Sequence, residues 1–178
     1  MKSPSNLKTE GPLTRKRAPL LISACLLGFH CRYDGGHRPC SSLIDFAHTV
    51  PFIPFCPEQM GGLPTPRPAS NISGGDGRDI LSGLARIYNV EGEDVTGQFI
   101  KGAQEALLLA GLSGACIAIM KDGSPSCGLK TSYCEKPSGY GIGITAALFE
   151  SQGIHMIDLG ADDDFPTPDF LKLVDRIS

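Results

Sequence analysis

Three short cysteine peptides contain the side chains best suited to chemistry. They are SACLLG around Cys25, FCPE around Cys56 and SPSCG around Cys127, and each lies where an apolar run gives way to Gly, Pro and polar residues. In α/β proteins the loops that leave parallel strands converge at the carboxyl edge of one sheet, so these distant thiols are expected to meet. Three converging thiols, with the Glu58 carboxylate two residues after one of them, predict a metal ion or cluster that takes part in a reaction.

The spacing of the metal-binding residue types favours a catalytic centre over a local structural zinc site. The chain has seven cysteines but no Cys-x-x-Cys pair, and its four histidines do not fall at zinc-finger spacing. An iron–sulfur cluster normally takes four cysteine ligands. A cluster with three such ligands keeps one iron free to bind a substrate atom as a Lewis acid.

The other cysteines divide by their predicted surroundings. Cys116 falls inside an apolar run over residues 115–120, which predicts a small buried side chain within a strand. Cys31, Cys40 and Cys134 fall in predicted loops, where each is either a fourth ligand or a plain loop thiol. Cys31 is the best ligand candidate of these three.

Glu58 and two serines are candidates for proton transfer and hydrogen bonding. Glu58 is expected to act as a general acid or base close to whatever Cys56 binds. The alternative is that it stabilises the first turn of a helix that begins near Pro57. Ser124 and Ser126 precede the third cysteine, and their hydroxyls either bond a thiolate, an inorganic sulfur or the substrate, or shape a turn.

Two glycine-rich segments, residues 74–77 and 139–143, resemble phosphate-binding loops. Neither follows a strong predicted strand with GxGxxG spacing, and no Walker lysine is present. We therefore interpret both as turns, with residues 141–143 also a candidate helix N-terminus that faces the site.

Composition and charge limit the class of protein. The 178 residues are 41% hydrophobic and 20% charged, which predicts one domain over residues 18–178. Residues 1–17 hold five basic residues and one acidic residue without a hydrophobic period, and this predicts a disordered basic tail. Because the net charge is −3, the remainder is acidic, and stable binding of nucleic acid is not expected.

The compartment is predicted from the cysteines and from the apolar run before Cys25. An odd number of widely spaced cysteines favours a reducing cytoplasm. A basic stretch followed by an apolar run that ends at a cysteine resembles a lipoprotein signal, but only seven residues, including Pro19, separate Arg17 from Cys25. We interpret this run as a buried first strand. No stretch approaches the ~18 consecutive apolar residues that span a bilayer.

The elements that must position these residues alternate between strands and helices. Apolar runs predict buried strands over residues 20–27, 50–55, 115–120 and 154–159. Periodicity and caps predict helices over residues 42–49, 94–110, 142–152 and 168–177, with Asp94 and Thr167 as caps and Gly111 as the end of the second helix. Residues 61–77 predict a surface loop, and residues 85–90 a strand of a small hairpin. This order predicts an α/β fold, a Rossmann-like domain with a mainly parallel sheet.

Taken together, the three cysteine motifs resemble the bacterial thiouracil desulfidase family over residues 20–159. The resemblance is carried in order by SACLLG with RYDG (residues 32–35), CPE (residues 56–58) with GGLPTPR (residues 61–67), and SPSCG (residues 124–128). It implies a Rossmann-like domain that holds a [4Fe-4S] cluster by Cys25, Cys56 and Cys127, with the fourth iron open.

The resemblance also implies the reaction. The open iron captures the sulfur of a thiocarbonyl, a carboxylate matching Glu58 and a serine matching Ser124 or Ser126 assist, and water replaces the sulfur without net electron transfer. Some relatives carry a second domain associated with thiolated transfer RNA, which this chain is too short to include, so a free thiolated base such as 2-thiouracil is the expected substrate. The alternative is a non-catalytic module in which the same cysteines hold a metal or cluster.

Overall fold

The protein is described by a computed structural model over residues 18–177, so the predicted tail lies outside the described residues. In chain order the strands are β1 (Leu20–Ser23), β2 (Phe52–Phe55), β3 (Ser70–Ser73), β4 (Arg86–Asn89), β5 (Ile117–Lys121) and β6 (His155–Leu159). The helices are α1 (Ser41–Ala47), α2 (Pro57–Met60), α3 (Gly77–Leu81), α4 (Thr96–Ser113), α5 (Ile144–Ser151) and α6 (Pro168–Ile177). No helix in this part of the chain is both long and apolar enough to cross a membrane.

The main sheet is parallel throughout, in the order β2-β1-β5-β6, which confirms the predicted α/β fold. Central β1 pairs Leu20 with Phe52 of β2 on one side and with Ile117 of β5 on the other. The carboxyl ends of β1, β2 and β5 are therefore neighbours, and the three predicted cysteine loops leave the sheet side by side.

Both faces of the sheet are covered, which explains why the central strands β1 and β5 begin as continuous buried apolar runs. Successive residues of β1 point to opposite faces, so Leu21 packs with α4 and α5 while Ile22 packs with α1 and α6. Phe149 of α5 and Phe170 of α6 lie in these two opposite cores. The predicted Thr167 cap is present, because its hydroxyl oxygen accepts the N–H of Phe170 at 3.1 Å.

The first predicted strand is shorter than its apolar run. β1 ends at Ser23, whose hydroxyl oxygen accepts the N–H of Lys121 at 2.9 Å, and Ala24–Leu27 then form a 3-10 turn. Gly28 closes this turn in the left-handed region with φ of 92°. Cys25 therefore lies on the turn after the strand, and its side chain belongs to neither of the two cores that cover the sheet.

The predicted end of the long helix at Gly111 is wrong. α4 continues to Ser113, and Gly114 ends it with φ of 69°. Asp94 does act as a cap from outside the helix, since its Oδ1 accepts the N–H of Thr96 at 2.9 Å. Gly111 is tolerated because it occupies an exposed helical position.

The antiparallel pair of β3 and β4 confirms the predicted hairpin strand but corrects the prediction of a loop over residues 61–77. β3 has only one fully buried apolar side chain, Ile72, so its sequence shows no hydrophobic alternation. Pairing with β4 and burial of Ile72 beside Phe99 hold it in place. α3 follows with a reciprocal cap between Asp76 and Asp79.

Candidate active site

The loops after β1, β2 and β5 enclose a cavity of about 290 Å³ at the carboxyl edge of the sheet. Cys25, Cys56 and Cys127 all line this cavity, together with Glu58 and Ser124. The structure therefore brings together most of the residues that were selected from sequence. A fourth thiol, that of Cys31, also lines it.

Cys31 occupies a central position among these thiols. It is 4% exposed and packs with Cys25 and Cys56. Hydrogen bonding by the adjacent Cys31 thiol lowers the pKa of Cys25 and lowers the pKa of Cys56 to about 7, while Sγ of Cys56 donates to the Cys31 carbonyl oxygen at 3.7 Å. The same interactions raise the pKa of Cys31 itself. A lowered pKa favours the thiolate form of Cys25 and Cys56, and thiolates are the form of cysteine that binds metal.

Cys56 is positioned by the one-turn helix α2. Its carbonyl oxygen accepts the N–H of Met60 at 3.0 Å, and Pro57 takes the first helical position, where its fixed φ is suitable. A methyl group on Gly102 of α4 would lie 1.9 Å from the Pro57 carbonyl oxygen, and one on Gly61 would lie 2.0 Å from the Gln98 carbonyl oxygen. Two glycines therefore allow α2 to pack directly against α4, which fixes Cys56 at the cavity.

Cys127 lies in a tight turn built by Ser124. The Ser124 hydroxyl oxygen accepts the N–H groups of Ser126 and Cys127, each at 3.1 Å. Burial raises the pKa of Cys127 well above its ordinary value, which favours the neutral thiol. Ser124 thus positions the third sulfur through the main chain.

The structure separates the two candidate serines. Ser124 lines the cavity, and no hydrogen bond among residues 18–177 uses its hydroxyl proton. Ser126 is 1% exposed and bonds the Thr145 hydroxyl of α5 at 3.0 Å, away from the cavity lining. Ser124 is therefore the serine that a bound molecule can reach.

The expectation that the segment before α5 presents a free helix N-terminus to the site is not met. The N–H groups of Gly143, Ile144 and Thr145 donate to carbonyl oxygens of residues 128, 125 and 126 at 2.8, 3.1 and 2.9 Å. These amides hold the Ser124–Gly128 loop against α5 instead of pointing to a ligand.

Glu58 is bound by Arg67, a residue for which the sequence suggested no role. Both Nε and Nη2 of Arg67 contact Oε2 of Glu58, at 2.7 and 2.6 Å. The guanidinium also donates to the carbonyl oxygen of Cys31 at 3.0 Å and to Pro64 and Thr65. Arg67 is 8% exposed, so it fixes the carboxylate and the Cys31 loop from inside the protein. Glu58 does lie in the first turn of α2, but that position does not account for this buried pairing.

Lys121 was also missed by sequence reasoning. It ends β5, lines the cavity and donates from Nζ to the carbonyl oxygen of Asp122 at 3.0 Å while pairing with the Asp122 carboxylate. Its charge adds a smaller contribution that lowers the pKa of Cys25. A lysine at the end of a strand carries no local pattern, so only the topology reveals that it faces the thiols.

The other cysteines lie away from the cavity. Cys40 is buried in the core beside α1 and donates to the Asp163 carbonyl oxygen at 3.3 Å, and Cys134 donates to the Thr131 carbonyl oxygen at 3.3 Å. The prediction that Cys116 is buried is wrong, because β5 begins one residue later and Cys116 is exposed at the opposite end of the strand. Within the described residues, no group of three His, Cys, Asp or Glu side chains forms a site for a single metal ion.

Known proteins with the same sequence pattern and fold identify the family. A family model described as 2-thiouracil desulfurase matches residues 20–159. The uncharacterized protein YbbK of Bacillus subtilis (strain 168) is 39% identical over 141 residues, which cover 78% of this chain and 93% of that protein. Among solved structures, the [4Fe-4S]-dependent thiouracil desulfidase TudS is 32% identical, with a TM-score of 0.72 over 91% of this chain and 100% of that chain. Because the family model spans most of the residues, this chain belongs to the 2-thiouracil desulfurase family.

Proposed function

We propose that this protein is a [4Fe-4S]-dependent desulfidase that converts 2-thiouracil, or a similar thioamide, to its oxo form and releases sulfide. The observation that carries the proposal is that three thiols from three separate strand exits line one cavity with a carboxylate and a serine. Family membership and the likeness to the solved desulfidase support the same reaction.

The donor set of the cavity fits an iron–sulfur cluster. Cysteine thiolates are the usual ligands of such clusters, and Cys25, Cys56 and Cys127 would hold it. The hydrogen bonds from Cys31 favour the thiolate form of the first two ligands. When bound by three cysteines, the cluster supplies one iron with a free position, a Lewis acid for the thiocarbonyl sulfur.

Glu58 is placed to act as the general base. Arg67 binds Oε2 twice and stabilises the carboxylate, while Oε1 makes no bond to Arg67 among the described contacts. A fixed carboxylate beside the substrate can accept the proton of an attacking water. Ser124 retains its hydroxyl proton for donation, so it can hydrogen-bond the polar edge of the substrate.

The proposed overall reaction is a hydrolysis. One water contributes its oxygen to the carbonyl carbon, and the sulfur leaves with the two water protons as hydrogen sulfide. No atom changes its oxidation state, so no reductant is required. Within this scheme the residues of the chain orient the ring, hold the water and move its protons.

Anaerobic reconstitution tests the proposal. The protein is loaded with iron and sulfide, its content of both is measured, and 2-thiouracil is then added with or without dithionite. We expect one equivalent of uracil and one of sulfide per substrate in either condition. If turnover required stoichiometric electrons from dithionite, the hydrolytic mechanism would be wrong, and the proposed cluster would still stand. A loaded protein that releases no sulfide would contradict the function and favour a non-catalytic cluster-binding module.

A further inference from the structure

Two of the four tyrosines of the chain line the same cavity as the thiols. Tyr33 follows the β1 exit and Tyr133 follows the SPSCG loop, so they come from different parts of the sequence. Tyr33 is 43% exposed and Tyr133 is 50% exposed. Rings of this size that stay exposed beside a cavity provide apolar surface that a ligand can cover.

Both tyrosines are held by main-chain hydrogen bonds. The Tyr33 carbonyl oxygen accepts the N–H of Arg67 at 2.8 Å, and Arg67 is the residue that fixes Glu58. The Tyr133 carbonyl oxygen accepts the N–H of Ile72 in β3 at 3.0 Å, and its own N–H donates to the buried Thr131 hydroxyl at 3.1 Å. The main chain that carries each ring is therefore fixed at the site.

The surroundings of the rings favour a flat molecule. The Arg32 guanidinium carbon lies 5.5 Å from the centre of the Tyr33 ring and also lines the cavity, so Tyr33 is supported on one side by a cation. Much of the remaining wall is apolar and is formed by Ala24, Phe55, Pro57, Ala69 and Pro125.

From this arrangement we propose that Tyr33 and Tyr133 recognise the planar ring of the substrate, so that the site selects aromatic thiocarbonyl compounds over saturated ones. This proposal rests on the proposed desulfidase function and names the residues that determine its substrate specificity. Stacking of a base on an aromatic side chain typically strengthens binding by about tenfold or more. The loss of either ring should therefore raise KM for a planar substrate and leave kcat less affected.

The test compares 2-thiouracil with 5,6-dihydro-2-thiouracil, which keeps the thiocarbonyl and loses the planar ring. With reconstituted wild-type protein we expect kcat/KM to favour 2-thiouracil by about tenfold or more. In Tyr33→Ala and Tyr133→Ala this preference should fall severalfold through KM, while the Tyr→Phe variants keep it. Tyr140→Ala is the matched control, because Tyr140 is 52% exposed and is not part of the cavity lining.

A binding measurement separates this proposal from the proposed function. Uracil and 5,6-dihydrouracil lack the sulfur, and their dissociation constants from the loaded protein are measured by NMR titration, with thermal melting as the check on folding. We expect uracil to bind more tightly to wild type and Tyr140→Ala, and equally weakly to the two alanine variants of the cavity. Equal binding of the two compounds to wild type, or an unchanged preference in both alanine variants, would overturn the role of the tyrosines. Absence of sulfide release with a preserved binding preference would instead overturn the desulfidase proposal alone.

Discussion

The cysteines of the cavity and the cysteines elsewhere in the fold differ in what their sulfur atoms contact. Cys25, Cys31 and Cys56 contact one another, and the Cys31 hydrogen bond lowers the pKa of Cys56 to about 7. Cys40 and Cys134 each donate to one main-chain carbonyl oxygen, and burial raises the pKa of Cys134. The comparison teaches that residue type alone does not indicate a metal ligand. The proposed ligands are the thiols that the topology brings into one cavity from three separate strand exits.

The largest expected effect comes from removing one proposed ligand. Cys25→Ala, Cys56→Ala and Cys127→Ala should each lose nearly all bound iron and labile sulfide after anaerobic reconstitution, because two thiolates give too little coordination. Cys116→Ala and Cys134→Ala are the matched controls, because neither cysteine lines the cavity. Both variants should keep the wild-type content of iron and sulfide. If Cys127→Ala retains a full complement of iron and sulfide, the ligand assignment is wrong.

The next effect concerns the carboxylate that Arg67 holds at the cavity. Glu58→Gln keeps the shape of the side chain but cannot accept a proton, so we expect a normal cluster content and a loss of turnover of about 100-fold or more. The measurement is kcat for 2-thiouracil together with iron analysis. If Glu58 only stabilises the first turn of α2, the variant would lose about 0.3–1 kcal/mol of stability and remain nearly as active.

A smaller effect is expected at Cys31, the member of the cavity group that is not assigned as a ligand. Cys31→Ala removes the hydrogen bonds that favour the thiolates of Cys25 and Cys56, so cluster assembly should be several-fold slower and reach the wild-type iron content. Cys31→Ser retains a donor and should assemble at nearly the wild-type rate. Time courses of iron uptake distinguish these results, and a final iron content as low as that of Cys127→Ala would instead identify Cys31 as a ligand.

The sequence predicted the part of the site that depends on strand ends and missed the part that depends on single side chains. Cys25, Cys56 and Cys127 each follow an apolar run, and parallel pairing of those runs is sufficient to bring them together. Arg67 lies in a proline-rich segment without periodicity, so nothing local indicates that it reaches Glu58. Whether Ser124 or Ser126 faces the cavity depends on the conformation of a short turn. Amino-acid composition does not determine that conformation.

The burial of Cys116 and the end of α4 were predicted incorrectly for a similar reason. Cys116 lies immediately before the start of β5, so its side chain is exposed and not buried within the strand. Gly111 and Gly114 are both plausible helix ends by residue type, and only the φ of 69° at Gly114 identifies the actual end. Element boundaries thus depend on tertiary packing more than element types do.

The smallest expected effect lies just outside the cavity, where Asp158 of β6 supports the segment after Cys127. Its Oδ1 accepts the N–H of Leu129 at 3.2 Å, and burial raises the pKa of Asp158 to about 6. An unfolded aspartate titrates near 3.9, so the folded state binds more protons between about pH 4 and pH 6, and stability falls as the pH rises through this window.

Asp158→Asn removes the charge and keeps an oxygen that can accept the Leu129 N–H. The cost of the carboxylate above pH 6 is at most about 3 kcal/mol, and solvent screening of a half-buried group reduces it to about 1 kcal/mol. We therefore expect the cluster-free variant to be about 1 kcal/mol more stable than wild type in urea at pH 8 and no more stable at pH 4. Asp45→Asn, which changes an exposed aspartate of α1, is the control. A variant that is less stable by the same amount at both pH values would show that the hydrogen-bond geometry of the carboxylate, and not its charge, decides the contribution of this residue.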